Sequence, residues 1–358
     1  MLDKLRKEFG RLVAVNDLSV EVEDKSLVSF LGPSGCGKTT TLRMIAGLIR
    51  PTSGSIYFND TLVNELKPQE RKVGLVFQDY AIFPTMNAFG NIAFGLKVRG
   101  IPKNEIRSRV MEIAELLHIK DILEVTPGRM TQSELQRVAV ARTLITNPSV
   151  LLLDEPLSNL DAAFRVRMRA ELKRLQREIA QTVIYVTHDQ IEAMSMSDKI
   201  AVMNYGILHQ YDTPYEIYNH PKTRFVAGFI GSPPMNFIEG TFLEDNGGFL
   251  DIGVSRINVS KYANTIRKES SSPEVTVGAR PEDIRVFHKE ESKDSIEVNV
   301  EAYEPMGDEA VVDVSVGGTL VRITTPTTFS ATPGEKKYVE FDTDKIHIID
   351  RKTEKVIV

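Results

Sequence analysis

Residues 32–39 read GPSGCGKT, directly after a short apolar run, Leu27–Leu31 (LVSFL), and just before a helix-like TTTLRMIAGL. No other stretch restricts the fold as strongly. Gly32, Pro33, Ser34, Gly35, Cys36, Gly37, Lys38 and Thr39 fit G-x-x-x-x-G-K-[ST], in the strand–loop–helix context that gives this motif its meaning. Glycines let backbone N–H groups curl around phosphate oxygens, and the N-terminus of the following helix adds partial positive charge. At this spacing Lys38 reaches the β- and γ-phosphates of ATP, while Thr39, followed by Thr40, brings a hydroxyl to Mg²⁺. Cys36 reads as a small loop residue.

The first part of the chain alternates strand and helix signals. Val150–Asp154 (VLLLD) and Thr182–Thr187 (TVIYVT) are apolar runs too short for surface helices, so they are predicted to be buried strands. Ile106, Val110, Ile113 and Leu117 recur at helical spacing, as do Phe164, Met168, Leu172, Leu175 and Ile179. Strands alternating with helices imply a mainly parallel sheet covered on both faces. Asp154 closes the VLLLD strand, where a carboxylate can hold a magnesium shell at the C-terminal edge of the sheet. Glu155 follows it and is the candidate to polarise an attacking water.

Beyond a Pro- and Gly-containing stretch at 219–235, expected to be a linker, the period changes to two. Ile296, Val298 and Val300 alternate with polar residues, as do Val312, Val314 and Val316. Glycine pairs at 247–248 and 317–318 mark turns. A β-rich second domain, barrel-like or a small sheet, is expected. The 358 residues supply enough chain for two such cores. A net charge of −5 offers no broad basic field, so nucleic acid is not an expected partner. No apolar run reaches the roughly 20 residues that span a bilayer. MLDKLRKEFG lacks the apolar centre of a secretory signal, and the single cysteine suits a reducing cytosol.

With these motifs in place the chain resembles the ATPase subunit of an ATP-binding cassette (ABC) transporter over nearly its whole length. Gln78 in VFQDYAIFP matches the family's Q-loop glutamine, which the resemblance assigns to the magnesium site and to coupling with membrane subunits. Ser158, Asn159, Leu160 and Asp161 match the D-loop, and His188 in VTHDQIEAM matches the switch histidine that senses the γ-phosphate. Phe9 stands where the family places an aromatic under the adenine. GSPPMNF at 231–237, GARPEDI at 278–284 and the late PGEKKYVEFDTDKIHIID are similar to importers of the maltose and glycerol-3-phosphate type.

The resemblance implies a P-loop α/β ATPase domain at 1–232, with a helical subdomain at about 85–148. An oligonucleotide/oligosaccharide-binding (OB) type regulatory domain would follow at 233–358. It further implies ATP and Mg²⁺ as cofactors, with Thr39, Gln78 and Asp154 around the metal. The expected partners are transmembrane permease subunits, an extracellular solute-binding protein reached through them, and a second ATPase subunit, at the cytoplasmic face of the membrane. The aromatic-rich stretch at 80–94 is either the surface that meets the permease or core of the helical subdomain.

One motif departs from the family. Where LSGGQ is the rule, this chain has Met130, Thr131, Gln132, Ser133 and Glu134, and the QRVA that follows at 136–139 fixes the register. In the family this segment completes the site of the opposite subunit. Losing its contacts costs about 1.5–3 kcal/mol for each hydrogen bond to a charged group. Two readings stay open. Either the chain hydrolyses ATP as a homodimer despite MTQSE, or it is a weakly hydrolysing regulatory subunit or half of a heterodimer.

Overall fold

The computed structural model describes residues 1–158, 160–244 and 247–358. These form two compact units, Met1–Pro214 and Tyr215–Val358.

In chain order the first unit contains β1 (Leu2–Phe9), β2 (Leu12–Val20), β3 (Leu27–Leu31), α1 (Lys38–Ile45), β4 (Ser53–Phe58), β5 (Thr61–Leu62) and β6 (Val73–Val76). Three helices follow: α2 (Ala88–Val98), α3 (Lys103–Leu116) and α4 (Gln132–Leu144). The unit then returns to β7 (Val150–Asp154), α5 (Ala162–Ile179), β8 (Thr182–Thr187), α6 (Gln190–Met196), β9 (Lys199–Asn204) and β10 (Ile207–Asp212). Its main sheet has the order β10-β9-β3-β8-β7-β6, parallel except where β10 meets β9. β3 and β8 are buried at every position, which is why they read as continuous apolar runs instead of alternating ones. A smaller antiparallel sheet, β2-β1-β4-β5, makes up the rest.

Much of the stretch at 80–94 packs in or against the core of this unit. Tyr80, Ala88, Ile92 and Ala93 are core, and Ile82 and Phe89 pack against that core. Phe83 and Phe94 are half-buried and pair with ring centroids 4.6 Å apart.

One buried polar side chain of this unit stands out. Gln136 on α4 is 0% exposed, yet neither atom of its side-chain amide has a partner among the described residues. An unpaired buried polar group costs about 1–3 kcal/mol. Gln136→Met, which nearly keeps the volume, is expected to stabilise the chain by about 1 kcal/mol, visible as a higher urea midpoint. A lower midpoint would mean the amide is satisfied in solution.

The second unit holds α8 (Arg224–Phe229), which follows α7 (Pro214–Asn219) in the chain, then β11 (Asn236–Leu243), β12 (Phe249–Asp251), β13 (Arg256–Asn258), α9 (Ala263–Glu269) and β14 (Glu274–Ala279). β15 (Ile284–Phe287), β16 (Ile296–Pro305), β17 (Glu309–Val316), β18 (Thr319–Pro326), β19 (Lys336–Phe341) and β20 (His347–Asp350) complete it. Two antiparallel five-stranded sheets, β13-β12-β11-β14-β20 and β15-β19-β16-β17-β18, enclose a core that includes Ile296, Val298, Val300, Val312, Val314 and Val316. Gly317 and Gly318 form the two-residue turn between β17 and β18, both at positive φ, as a tight hairpin requires.

The boundary between units lies upstream of the 232/233 division expected from the sequence. Residues 215–232 are not a free linker. The Arg224 N–H donates to the Glu354 carbonyl at 2.8 Å, Val356 N–H donates to Lys222, and Arg280 Nη1 donates to the Ile230 carbonyl at 2.9 Å. Prolines and glycines there serve a compact turn-and-helix path, and backbone pairing holds it to the second unit.

Candidate nucleotide site

Three adjacent strands build the site. β3 lies beside β8, and β8 beside β7, so their C-terminal ends share one edge. From that edge emerge residues 32–37, Asp154 with Glu155, and His188.

The loop needs its glycines for steric reasons. A Cβ on Gly32 would lie 2.1 Å from the Met203 carbonyl oxygen. Gly37, the N-cap of α1, has φ +103°, and a Cβ there would lie 2.4 Å from the Ala14 carbonyl oxygen. Lys38 is 4% exposed, and its ammonium donates to the Gly32 and Pro33 carbonyls at 2.7 and 2.9 Å. Cys36 is buried, and burial pushes its thiol up, with Lys38 acting against it.

Thr39 Oγ1 donates to Asp154 Oδ1 at 3.0 Å across 115 residues of sequence. Burial raises the Asp154 carboxyl above the usual range, and Glu155 adds to that, while the Thr39 hydrogen bond, Arg43 and Lys38 oppose it. Glu155 sits at φ +46°, a conformation uncommon for a non-glycine residue, and its N–H is tied to the Val186 carbonyl at 3.0 Å. Its Oε2 lies 3.0 Å from His188 Nδ1. Gln78 Nε2 donates to Ser158 Oγ at 3.3 Å, and Ser158 Oγ donates to the Glu155 carbonyl at 2.9 Å. Gln78, Ser158, Glu155 and His188 therefore form one connected chain. Asn159 lies outside the described residues.

The remaining expected residues are spread more widely. Phe9 ends β1, half-exposed, with Lys7 Nζ 5.0 Å from its ring centre. Asp161 N-caps α5 by accepting from the Phe164 N–H at 2.9 Å. Thr131 N-caps α4, and Glu134 folds back on it. The Glu134 carboxylate accepts from the Thr131 N–H at 2.7 Å while the Thr131 hydroxyl oxygen accepts from the Glu134 N–H at 3.3 Å, which makes a capping box, and the Thr131 hydroxyl also lies 2.9 Å from the carboxylate. Gln132 and Ser133 lie in ordinary helical backbone, so the chain itself does not call for glycine there.

The structure also shows supports that the sequence reading passed over. Arg142 donates to the carbonyls of Tyr80 and Ala81 at 2.8 and 2.6 Å, holding two positive-φ residues just after Gln78. No local pattern announces that clamp. Asp189 caps α6 beside His188, and buried Glu192 accepts from Tyr185 and Thr187 at 2.8 and 2.7 Å. The D-x-x-E spacing at 189–192 was a readable helix-start signal for this support.

Residues 15–158 match the family described as ABC transporter, residues 231–284 match the MalK OB fold domain, and residues 277–349 match the TOBE domain. The trehalose/maltose import ATP-binding protein MalK of Thermococcus litoralis is 46% identical over 98% of this chain and 97% of its own length. The chain belongs to the ABC-transporter ATP-binding subunits. Another ABC relative, the sn-glycerol-3-phosphate import ATP-binding protein UgpC of Ruegeria pomeroyi, is 38% identical over 99% of this chain and 98% of its own. Among solved ABC structures, a post-hydrolysis ATP-binding cassette dimer bound to ADP and Pi is similar at 28% identity and a TM-score of 0.53, covering 60% of this chain and 97% of that one. Part of the ABC transporter complex of Clostridium perfringens gives a TM-score of 0.57 at 25% identity, over 60% and 88% of the two chains.

As an ABC ATP-binding subunit the chain is an ATPase that energises transport together with permease subunits. Among the described residues no helix is long and apolar enough to cross a membrane.

Proposed function

We propose that this chain powers import of a sugar, polyol or related phosphate-bearing solute, working at the cytoplasmic face of the membrane. An extracellular solute-binding protein would deliver the solute to the permease subunits. The observation that carries the reading is the Glu155–His188 contact at 3.0 Å beside the Thr39–Asp154 contact at 3.0 Å. A module that only senses nucleotide needs the second pair alone. Similarity to import subunits over the full chain supports the direction of transport and the solute class.

Residues 32–37 and Lys38 would receive the phosphates, and the half-exposed ring of Phe9 would stack on the adenine. Glu155 takes a proton from water as the water oxygen bonds to the γ-phosphorus and the bond to the bridging oxygen breaks, releasing ADP. His188, steadied through Nδ1, leaves Nε2 for the γ-phosphate. Thr39 and Asp154 suit Mg²⁺ because both present hard oxygens, and this ion usually pairs few protein ligands with substrate phosphates. Bound there with Gln78, Mg²⁺ would neutralise phosphate charge. Among the described residues no cluster of three His, Cys, Asp or Glu forms a self-contained metal cage, which agrees with that mode.

The second reading, a weakly hydrolysing regulatory subunit or half of a heterodimer, rests on the MTQSE sequence alone, in which Glu134 places a negative charge at the α4 N-terminus. ATP turnover measured across protein concentration separates the two, with Lys38→Ala as the blank. The reference carries Met130→Leu, Thr131→Ser, Gln132→Gly, Ser133→Gly and Glu134→Gln. A rate that rises more than linearly and nears the reference supports the homodimer. A rate at the blank, rescued in the reference, supports dependence on a partner subunit or a regulatory role.

A further inference from the structure

The second unit contains a cavity of about 370 Å³ whose lining includes Asn219, His220, Tyr262, Arg280, Lys345 and His347. Its volume lies at the lower end of the range for small-molecule sites. Arg280 is 3% exposed. Its Nη1 donates to the Ile230 carbonyl and its Nη2 to the Tyr218 carbonyl, and the guanidinium lies 3.6 Å from the centre of the Tyr218 ring. Its Nε–H is buried and meets no acceptor among the described residues.

The charge balance is uneven. Both side-chain carboxylates that line the cavity are matched, Asp283 accepting from Lys345 at 2.7 Å and Asp344 from Lys261, and Val358, the last residue of the sequence, lines it as well. Nearby Glu282 accepts from the Tyr218 hydroxyl, and His220 lies 3.1 Å from Glu216. Arg280 alone among the lining cations has no carboxylate in contact among the described residues. Two carbonyls explain why it ties residues 218–230 to this unit. They do not explain a buried guanidinium whose Nε–H has no partner and which no carboxylate touches, with Glu282 and Asp283 acting on it only from a distance, an arrangement that costs free energy unless an anion completes it.

We infer that this cavity binds a small organic anion, a single phosphate or carboxylate on a hydroxyl-bearing body, with Arg280 holding the anionic group. Guanidinium nitrogens suit phosphate and carboxylate oxygens in both charge and planar geometry. The Asn219 amide, the Tyr262 hydroxyl and the two imidazoles supply partners for hydroxyls. Burial and the nearby Arg280 lower the His347 pKa, so this ring meets a ligand as a neutral donor and acceptor.

The test is calorimetric titration of the full chain in excess ADP and Mg²⁺, which fills the phosphate loop, with glucose 6-phosphate, inorganic phosphate and glucose as probes. Glucose 6-phosphate is expected to bind once per chain and glucose not at all. Arg280→Lys should weaken binding by about ten-fold or more. Tyr262→Phe, which keeps the ring, should weaken it by about three-fold and preserves the test if the Arg280 variant fails to fold. Inorganic phosphate binding as tightly as the ester would support the anion site and assign free phosphate as its ligand. Absence of binding by either anion, or affinity unchanged in folded Arg280→Lys and Tyr262→Phe, would overturn the inference.

Discussion

Glu155→Gln is expected to slow ATP hydrolysis by about 10²–10⁴-fold, the usual contribution of a positioned general base. The amide keeps the size of the side chain and can still accept from His188 Nδ1, so the 3.0 Å contact survives. What disappears is the capacity to take a proton from water. The Thr39–Asp154 pair and the loop are untouched, so ATP affinity should stay within about three-fold of the parent. Single-turnover hydrolysis beside equilibrium binding of a fluorescent ATP analogue separates the two effects. Near-normal turnover would remove Glu155 from its proposed role and point to base catalysis by another group. Loss of binding along with turnover would mean that Glu155 shapes the pocket instead.

Lys38→Ala should act at the earlier step. The ammonium stands among the loop carbonyls, 2.7 Å from Gly32 O and 2.9 Å from Pro33 O, within the loop proposed to receive the phosphates. Two charged hydrogen bonds at about 1.5–3 kcal/mol each make up most of its expected worth. At about 1.4 kcal/mol per decade this corresponds to roughly 10²–10⁴-fold in ATP affinity. The same fluorescent analogue reads it directly, with circular dichroism to confirm that the variant is folded. A folded variant whose affinity stays within about three-fold of the parent would refute the assignment of Lys38 to the phosphates.

The two variants together test how far local sequence exposes a site. That residues 32–39, Asp154 and Glu155 meet at one edge of the sheet was legible, because motifs of this kind place fixed residue types at fixed spacing beside a strand end. The strands themselves were legible because β3 and β8 are buried on both faces. Other features depend on contacts between residues far apart in sequence. Arg142 gives no local sign that it will grip Tyr80 and Ala81, 62 and 61 residues earlier. Residues 219–235 looked like a linker because composition records proline and glycine but not the partners of the backbone, here at Glu354 and Arg280. MTQSE is a different case. The added charge of Glu134 was noticed, while the T-x-x-E spacing that pairs it with Thr131, equally readable, was passed over.

The position of β3 in its sheet carries a lesson about the order of synthesis. The phosphate loop is encoded early, yet β3 is flanked by β8 and β9, which pair with it through Leu27↔Val183 and Val28↔Lys199. Both neighbours leave the ribosome more than 150 residues after β3 does. Until then its five residues, four of them apolar, have no strand on either edge, and its backbone groups lack their ladder partners. A growing chain can therefore display the complete GPSGCGKT motif without possessing a pocket. ATP cannot reward folding of the first unit until that unit is almost fully made, and the long interval places β3 among the segments most in need of shielding from other nascent chains.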